Sequence, residues 1–311
     1  MDLQALSERC VHKDKKFKFI PAILAGFFIL FFALSIPLPT PQTPYRLYST
    51  DRGDDLKEVL KKAILKSSKS ITLHSFAITD LSILTFLKEK AQKGVEVHLV
   101  YHKKTTPPLH DLNFKNLYFH PIDERGLMHE KIWIFDQSMI FLGSTNLTPS
   151  SLKMHHNSMV GLYSPSFAKK LLEARSEKIE TAIGKMSLSY FPLPYSSGLE
   201  GVLNALSQAK RKVKVSLFTF THPQLVEKLI ELSEKGINVE VHLDGTTALG
   251  ASRAAKEKLE KAHIKVKTSS GRELHHHKWA EIDQKILIIG SANWTKSAFK
   301  NNRDFILILN K

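Results

Sequence analysis

His129-Glu130-Lys131, four residues, Asp136, six residues, then Gly143-Ser144-Thr145-Asn146 is the stretch that decides the fold, because it occurs twice. The second copy reads His276-His277-Lys278, four residues, Asp283, six residues, then Gly290-Ser291-Ala292-Asn293. Side chains alternate along a strand, so a His and a Lys two apart share a face. Ile132-Trp133-Ile134-Phe135 is apolar at every position, the pattern of a strand covered on both sides. A fold-back near Asp136-Gln137 lays Gly143, Ser144 and Asn146 beside Lys131 and His129. The same arithmetic about Asp283-Gln284 lays Gly290, Ser291 and Asn293 beside Lys278 and His276. Each copy thus gathers an imidazole, an ammonium, a hydroxyl and a carboxamide around one point, a set suited to a phosphate group.

Working outward, the repetition continues. Ile71–Thr79 parallels Val213–Thr221, and both read as strands. Lys93-Gly94-Val95-Glu96-Val97 parallels Lys235-Gly236-Ile237-Asn238-Val239, each a helix end followed by a β-branched strand. Arg125-x-Leu127 and Arg272-x-Leu274 precede the two motifs at the same distance, and both arginines are candidates for a site rim. Helical periodicity covers 55–67, 81–93, 223–235 and 249–263, and 166–183 reads as a connecting helix. Strands alternating with helices indicate α/β lobes, with parallel strands forming much of each sheet.

His-x-Lys-x4-Asp-x6-Gly-Ser-x-Asn, twice at identical spacing, closely resembles the phospholipase D superfamily. The resemblance implies two pseudo-symmetric α/β/α sandwich lobes with mixed, largely parallel sheets, which bring both motifs to one site at their interface. Boundaries follow as a basic region 1–18, an apolar segment 19–36, a proline-rich linker 37–44, lobe one over 45–183 and lobe two over 184–311. It also implies a two-step displacement without metal or cofactor. One imidazole attacks phosphorus and the other protonates the leaving oxygen, then activates water. Lys131, Lys278, Asn146 and Asn293 hold the nonbridging oxygens. Ser144 and Ser291 orient the site, and Asp136 and Asp283 serve their turns. In the family an acidic residue downstream of one motif often contacts the His of the other. Asn302-Arg303-Asp304 fits that pattern, whereas Asn157-Ser158-Met159, taken as its counterpart, has no carboxylate. The expectation is that Asp304 orients His129, which attacks, while His276 serves as the acid.

His275-His276-His277 and His155-His156 invite a metal reading. Consecutive strand residues point to opposite faces, which argues against one ion at the triple, and His155-His156 reads as a solvated loop pair.

The 311 residues carry 45 Lys plus Arg against 30 Asp plus Glu, a net charge of +15 that favours a polyanionic partner, either nucleic acid or an anionic membrane. A single cysteine, Cys10, excludes an intramolecular disulfide. Phe19 to Ile36 is uncharged and is preceded by Lys13, Lys15, Lys16 and Lys18. It reads as a membrane anchor with a cytoplasmic N-terminus and extracytoplasmic lobes, or alternatively as a cleaved secretory signal. Extended, the spacer that follows would reach roughly 25 Å. The expected function is phospholipid hydrolysis releasing phosphatidic acid. Alternatives are a metal-independent nuclease, a cardiolipin synthase-like phosphatidyltransferase and a silent binding scaffold. Both half-sites lie on one chain, so homo-oligomerisation is not required.

Overall fold

The computed structural model describes residues 36–109, 114–173 and 176–311. The basic region and all but the last residue of the apolar segment 19–36 lie outside them. Among the described residues no helix is long and apolar enough to cross a membrane. The chain divides into Met1–Pro37 and Leu38–Lys311, and the second unit holds every described strand and helix.

Two sheets organise it. The first contains β1 (Tyr45–Ser49), β2 (Ser70–Ser75), β3 (Glu96–His102), β4 (Leu117–Ile122), β5 (Ile132–Phe135), β6 (Met139–Gly143) and β7 (Ser158–Tyr163), in the order β1-β7-β6-β5-β2-β3-β4. The second contains β8 (Ile179–Ile183), β9 (Met186–Leu193), β10 (Lys212–Leu217), β11 (Asn238–Leu243), β12 (Lys265–Thr268), β13 (Lys278–Ile282), β14 (Ile286–Gly290) and β15 (Asp304–Asn310). Its order is β12-β11-β10-β13-β14-β15-β9-β8. Only β2/β3, β3/β4, β10/β11 and β11/β12 run parallel. The remaining neighbours are antiparallel, so both sheets are mixed, as expected, but mostly antiparallel where they were expected to be largely parallel. The reason is local: each motif is itself a hairpin, and a hairpin makes antiparallel neighbours.

The hairpins turn where the sequence places them. Asp136 and Gln137 have φ of 48° and 51°, and Asp283 and Gln284 have 50° and 60°. Two consecutive left-handed residues match the right-handed twist of the strands they join. Asp136 supports its turn by accepting from the amides of Ser68, Lys69 and Ser70 (2.7–3.1 Å). Asp283 does the same for Lys210, Arg211 and Lys212 (2.7–3.0 Å). Each carboxylate therefore ties its motif hairpin to the start of β2 or β10.

All but one of the longer helices lie on the outer faces. Helix α1 (Leu56–Lys66) starts at Asp55, whose carboxylate accepts from the amides of Lys57 and Glu58. Helix α2 (Leu81–Gln92) starts at Asp80 in the same manner and stops before Gly94, at φ 89°. Short α3 (Pro149–Lys153) follows the first motif, and α4 (Pro165–Glu173) follows β7. In the second half α5 (Gly198–Leu206), α6 (Pro223–Glu234), α7 (Gly245–Leu249), α8 (Arg253–Lys261) and α9 (Lys296–Lys300) occur in chain order. Leu225, Val226 and Leu229 of α6 and Leu259 of α8 share a core with Val213, Val215, Ile286, Ile288, Ile306 and Ile308.

The inner faces of the two sheets share a second core. Ile132, Ile134, Ile140, Leu142, Val160 and Leu162 meet Leu287, Ile289, Phe305, Leu307 and Leu309, together with Phe167, Ala168 and Leu171 of α4. A sheet plus one helix therefore covers each inner face, in place of the second helix layer of the expected α/β/α sandwich lobes. Strands apolar at every position need cover on both sides, and here the neighbouring lobe provides much of it.

Two boundaries move. The expected helix 166–183 ends at Glu173, and 179–183 is β8, which pairs with β9 in the second sheet and so does not close lobe one. The spacer is not extended: Leu38 is buried, Thr40 and Thr43 close a turn, and the Pro44 carbonyl accepts from the Tyr163 amide at 2.8 Å.

Candidate active site

The two motifs meet through backbone exchanged between the lobes. The His129 amide donates to the Arg303 carbonyl (2.8 Å), immediately before β15, and the Arg303 amide donates to Leu127. Correspondingly the His276 amide donates to the His156 carbonyl (2.9 Å), just before β7, and the His156 amide donates to Leu274. Each motif histidine is thus registered against the segment leading into the other lobe's return strand.

The glycines of Gly-Ser-x-Asn are required by close approach. A Cβ on Gly143 would stand 2.2 Å from the Ser158 carbonyl, and one on Gly290 would stand 2.2 Å from the Phe305 carbonyl. The partners of the histidines stand where those neighbouring strands begin: Asn157 just before β7 and Asp304 as the first residue of β15. Asp304 Oδ1 lies 2.8 Å from His129 Nδ1 and accepts from Ser291 Oγ at 2.6 Å. Asn157 Oδ1 lies 3.0 Å from His276 Nδ1 and accepts from Ser144 Oγ at 2.7 Å.

This geometry corrects the sequence alignment of the two halves. Asp304 lies 13 residues after Ser291, and Asn157 lies 13 after Ser144, so Asn157 is the counterpart of Asp304. Met159, aligned with it by the Asn-x-acid pattern, is a core residue. His276 does lack a carboxylate partner, but it has an amide partner that the sequence reading missed. The constant distance from the motif serine was the signal available. Asn157 is itself held by its Nδ2, which donates to the Ser151 carbonyl at 2.8 Å.

Lys131 and Lys278 are almost wholly buried, and each donates to the carbonyl of its own motif histidine, at 2.6 and 2.9 Å. Phe76 lies under the Lys131 ammonium (5.5 Å) and edge-on to His129 (5.2 Å). Phe218 repeats this at Lys278 (5.4 Å) and His276 (5.1 Å). The hydroxyls of Thr105 and Thr247 donate to the carbonyls of Phe76 and Phe218. Asn146 and Asn293 stand at corresponding positions, and the Oδ1 atom of each is buried without a partner. Arg125 lines a cavity with Lys300 and Arg303, and Arg272 lines another with Asp244 and Lys256.

Confinement makes this an anion-seeking site. Burial, then the Lys131 charge, pulls His129 down to about 4, although Asp304 opposes the shift. Burial, then Lys278, Lys131 and His129, holds His276 well below its ordinary value. Burial brings Lys131 down to about 7, and Lys278 is depressed by burial and by Lys131. Asp304 stays below the usual carboxylate range: burial pushes it up, but His129, Lys131 and the Ser291 hydroxyl together outweigh that. Two imidazoles and two ammonium groups drawn from both lobes therefore share one electrostatic environment, each disfavouring positive charge on the others. A phosphodiester monoanion placed among them reverses that sign.

The histidine triple divides as strand alternation requires, with the His275 and His277 rings 4.8 Å apart on one side and His276 on the other. His275 contacts Ser216 Oγ (2.7 Å), His276 faces the site, and His277 contacts Ser158 Oγ (2.9 Å) and Asp51 (2.8 Å). His155 and His156 are half-buried, not a solvated pair: the His155 ring lies 6.4 Å from that of His276, and His156 contacts Asp51. Glu130, the first-motif equivalent of His277, lies between His74 Nδ1 (2.8 Å) and Arg303 (3.6 Å).

Comparison with known proteins identifies the family and the fold. The family model described as cardiolipin synthase, PLD-like domain, matches residues 60–177 and 202–311. Mitochondrial cardiolipin hydrolase of Mus musculus is 40% identical over 119 residues, 38% of this chain and 53% of that protein. The Homo sapiens protein of the same name is 38% identical over 118 residues, 37% of this chain and 46% of that protein. The chain thus spans about half the length of the curated relatives it matches. Among solved structures, phosphatidylserine synthase of Haemophilus influenzae superposes with a TM-score of 0.68 at 13% identity. It covers 88% of this chain and 83% of its own, a likeness of fold.

Proposed function

The chain belongs to the phospholipase D superfamily, and from that membership we propose that it hydrolyses phospholipids, releasing phosphatidic acid through a phosphohistidine. The observation that carries this reading is the crossed pairing of His129 with Asp304 and of His276 with Asn157, around two buried lysines.

Both pairings leave Nε2 as the working atom. With Nδ1–H directed at Asp304, the His129 Nε2 lone pair attacks phosphorus, and the bond to the headgroup oxygen breaks. His276 Nε2–H gives that oxygen its proton. His276, now neutral, takes a proton from water, whose oxygen attacks phosphorus and displaces His129. The unequal partners suit unequal duties. A phosphorylated imidazole carries a positive charge that the Asp304 carboxylate stabilises. A neutral amide holds the His276 tautomer without stabilising its imidazolium, and so leaves it the stronger acid. Before substrate binds both rings are held neutral, and the substrate's negative charge restores the proton on His276. Lys131, Lys278, Asn146 and Asn293 bind the nonbridging oxygens through both steps.

The relatives' names favour a cardiolipin-like lipid as substrate. The matched model's description favours, as a second reading, transfer of the phosphatidyl group to an alcohol, since a phosphohistidine is intercepted by either nucleophile. Residues 19–36 would hold the enzyme to its lipid surface. The test offers detergent-solubilised full-length protein cardiolipin or phosphatidylcholine vesicles, and in parallel single-stranded DNA and RNA, all with EDTA. Phosphatidic acid release that vanishes in His129→Ala supports the reading. Cleavage of nucleic acid alone overturns it.

A further inference from the structure

Beside the catalytic pocket, and outside the mechanism above, Asp51, His156 and His277 converge. Asp51 sits in the turn after β1, His156 just before β7 and His277 just before β13, so the cluster joins the two halves of the molecule. Asp51 Oδ1 is 2.5 Å from His156 Nδ1, and Asp51 Oδ2 is 2.8 Å from His277 Nε2. One ligand-capable atom from each residue lies within 4.8 Å of the others.

The hydrogen bonding around His277 indicates what belongs between these groups. Ser158 Oγ lies 2.9 Å from His277 Nδ1 and 3.3 Å from Ser49 Oγ, so by turning its own hydrogen to Ser49 it is placed to accept the Nδ1–H of the ring. In that tautomer Nε2 turns its lone pair toward the open side of the cluster, where Asp51 and His156 lie. This matches the arrangement of ligating histidines, whose outer ring N–H is fixed by a neighbouring acceptor. The His277 ring is buried, at 1% side-chain exposure, whereas Asp51 and His156, at 44% each, form the open side of the cluster.

We propose that Asp51, His156 and His277 form a binding site for a divalent first-row transition ion, zinc by its ligand set, clamping the two lobes one residue away from His276. Two imidazoles and a carboxylate are borderline ligands suited to zinc, and the exposed side leaves a fourth position to water. The ion takes no part in phosphoryl transfer. Its effect is to tie β1 and β7 to the strand that carries the second motif.

Cobalt is the probe, because its visible bands report coordination without reference to turnover. Full-length protein stripped of metal and titrated with Co²⁺ is expected to show one saturating equivalent with tetrahedral-type absorption, displaced by Zn²⁺. Zinc should raise the melting temperature. The double variant Asp51→Asn/His156→Ala should lose the bands and the thermal shift while keeping its circular dichroism, and Ser158→Ala should weaken binding about 10–100-fold. His129→Ala should bind cobalt as the wild type does. Absence of stoichiometric binding by the wild type overturns the proposal. So does binding that survives the double variant and disappears in His129→Ala, which would place the ion on the catalytic imidazoles. Failure of the lipid assay leaves these readouts untouched.

Discussion

Replacing Asn157 by Asp gives both histidines a carboxylate and tests the division of labour between them. The new oxygen takes the place of one 3.0 Å from His276 Nδ1, in a position sealed from solvent. A hydrogen bond to a charged group contributes about 1.5–3 kcal/mol. At ~1.4 kcal/mol per pKa unit, the His276 imidazolium becomes weaker as an acid by about 1–2 units. The assay is the pH dependence of kcat for phosphatidic acid release. If His276 must be protonated to act, its titration sets the alkaline limb, and that limb moves up by the same 1–2 units. The acid limb, which reports loss of the His129 lone pair, stays in place. Asp304→Asn is the converse. It leaves the phosphorylated ring without its counter-charge and lowers kcat about 10–100-fold, on the same energy scale. Movement of the acid limb in Asn157→Asp would show that His276 works as the neutral nucleophile, and the assignment of roles would fall.

Other outcomes rest on the same geometry. Inorganic phosphate bound near pH 7 should take up protons, because an anion among Lys131, Lys278, His129 and His276 restores the charges that burial suppresses. Titration calorimetry in buffers of different ionisation enthalpy measures the uptake, and an enthalpy independent of buffer contradicts it. Stability of the ligand-free protein should rise with pH across the His129 window. The ring titrates near 4 folded and near its ordinary 6.5 unfolded, so between those values the unfolded chain binds more protons. The contribution of about 3 kcal/mol is complete above pH 6.5 and lost as pH falls through 4, and denaturation midpoints over that range check it. Asp136→Ala removes the acceptor for three backbone amides far from the motif histidine. It should cost about 1–3 kcal/mol of stability while turnover per folded molecule is kept, and a selective loss of kcat would return Asp136 to the chemistry.

Much of this architecture was legible from spacing because it is local. The hairpins, their left-handed turns at Asp136-Gln137 and Asp283-Gln284, and the helix stops at Gly94 and Gly236 all rest on neighbours in the chain. What escaped depends on contacts across the lobe interface. Asn157 meets His276 across 119 residues, and Asp51 meets His277 across 226, distances over which no periodicity operates. The strand Ile179–Ile183 looked helical because its partner, β9, was needed to make it a strand. Sheet direction was misjudged for a similar reason. The repeated strand–helix–strand units are parallel, but the motif hairpins and β7, β15, β9 and β8 outnumber them.

The most direct measurement of the central claim is to trap the covalent intermediate. Replacing His276 by Asn removes the group that activates water, so a substrate with a good leaving group should load the enzyme and stall. With radiolabelled substrate, rapid quenching and peptide mapping, the phosphoryl label is expected on His129 of the His276→Asn protein, with none in His129→Asn. Label on His276 of the His129→Asn protein, with none on His129, would contradict it.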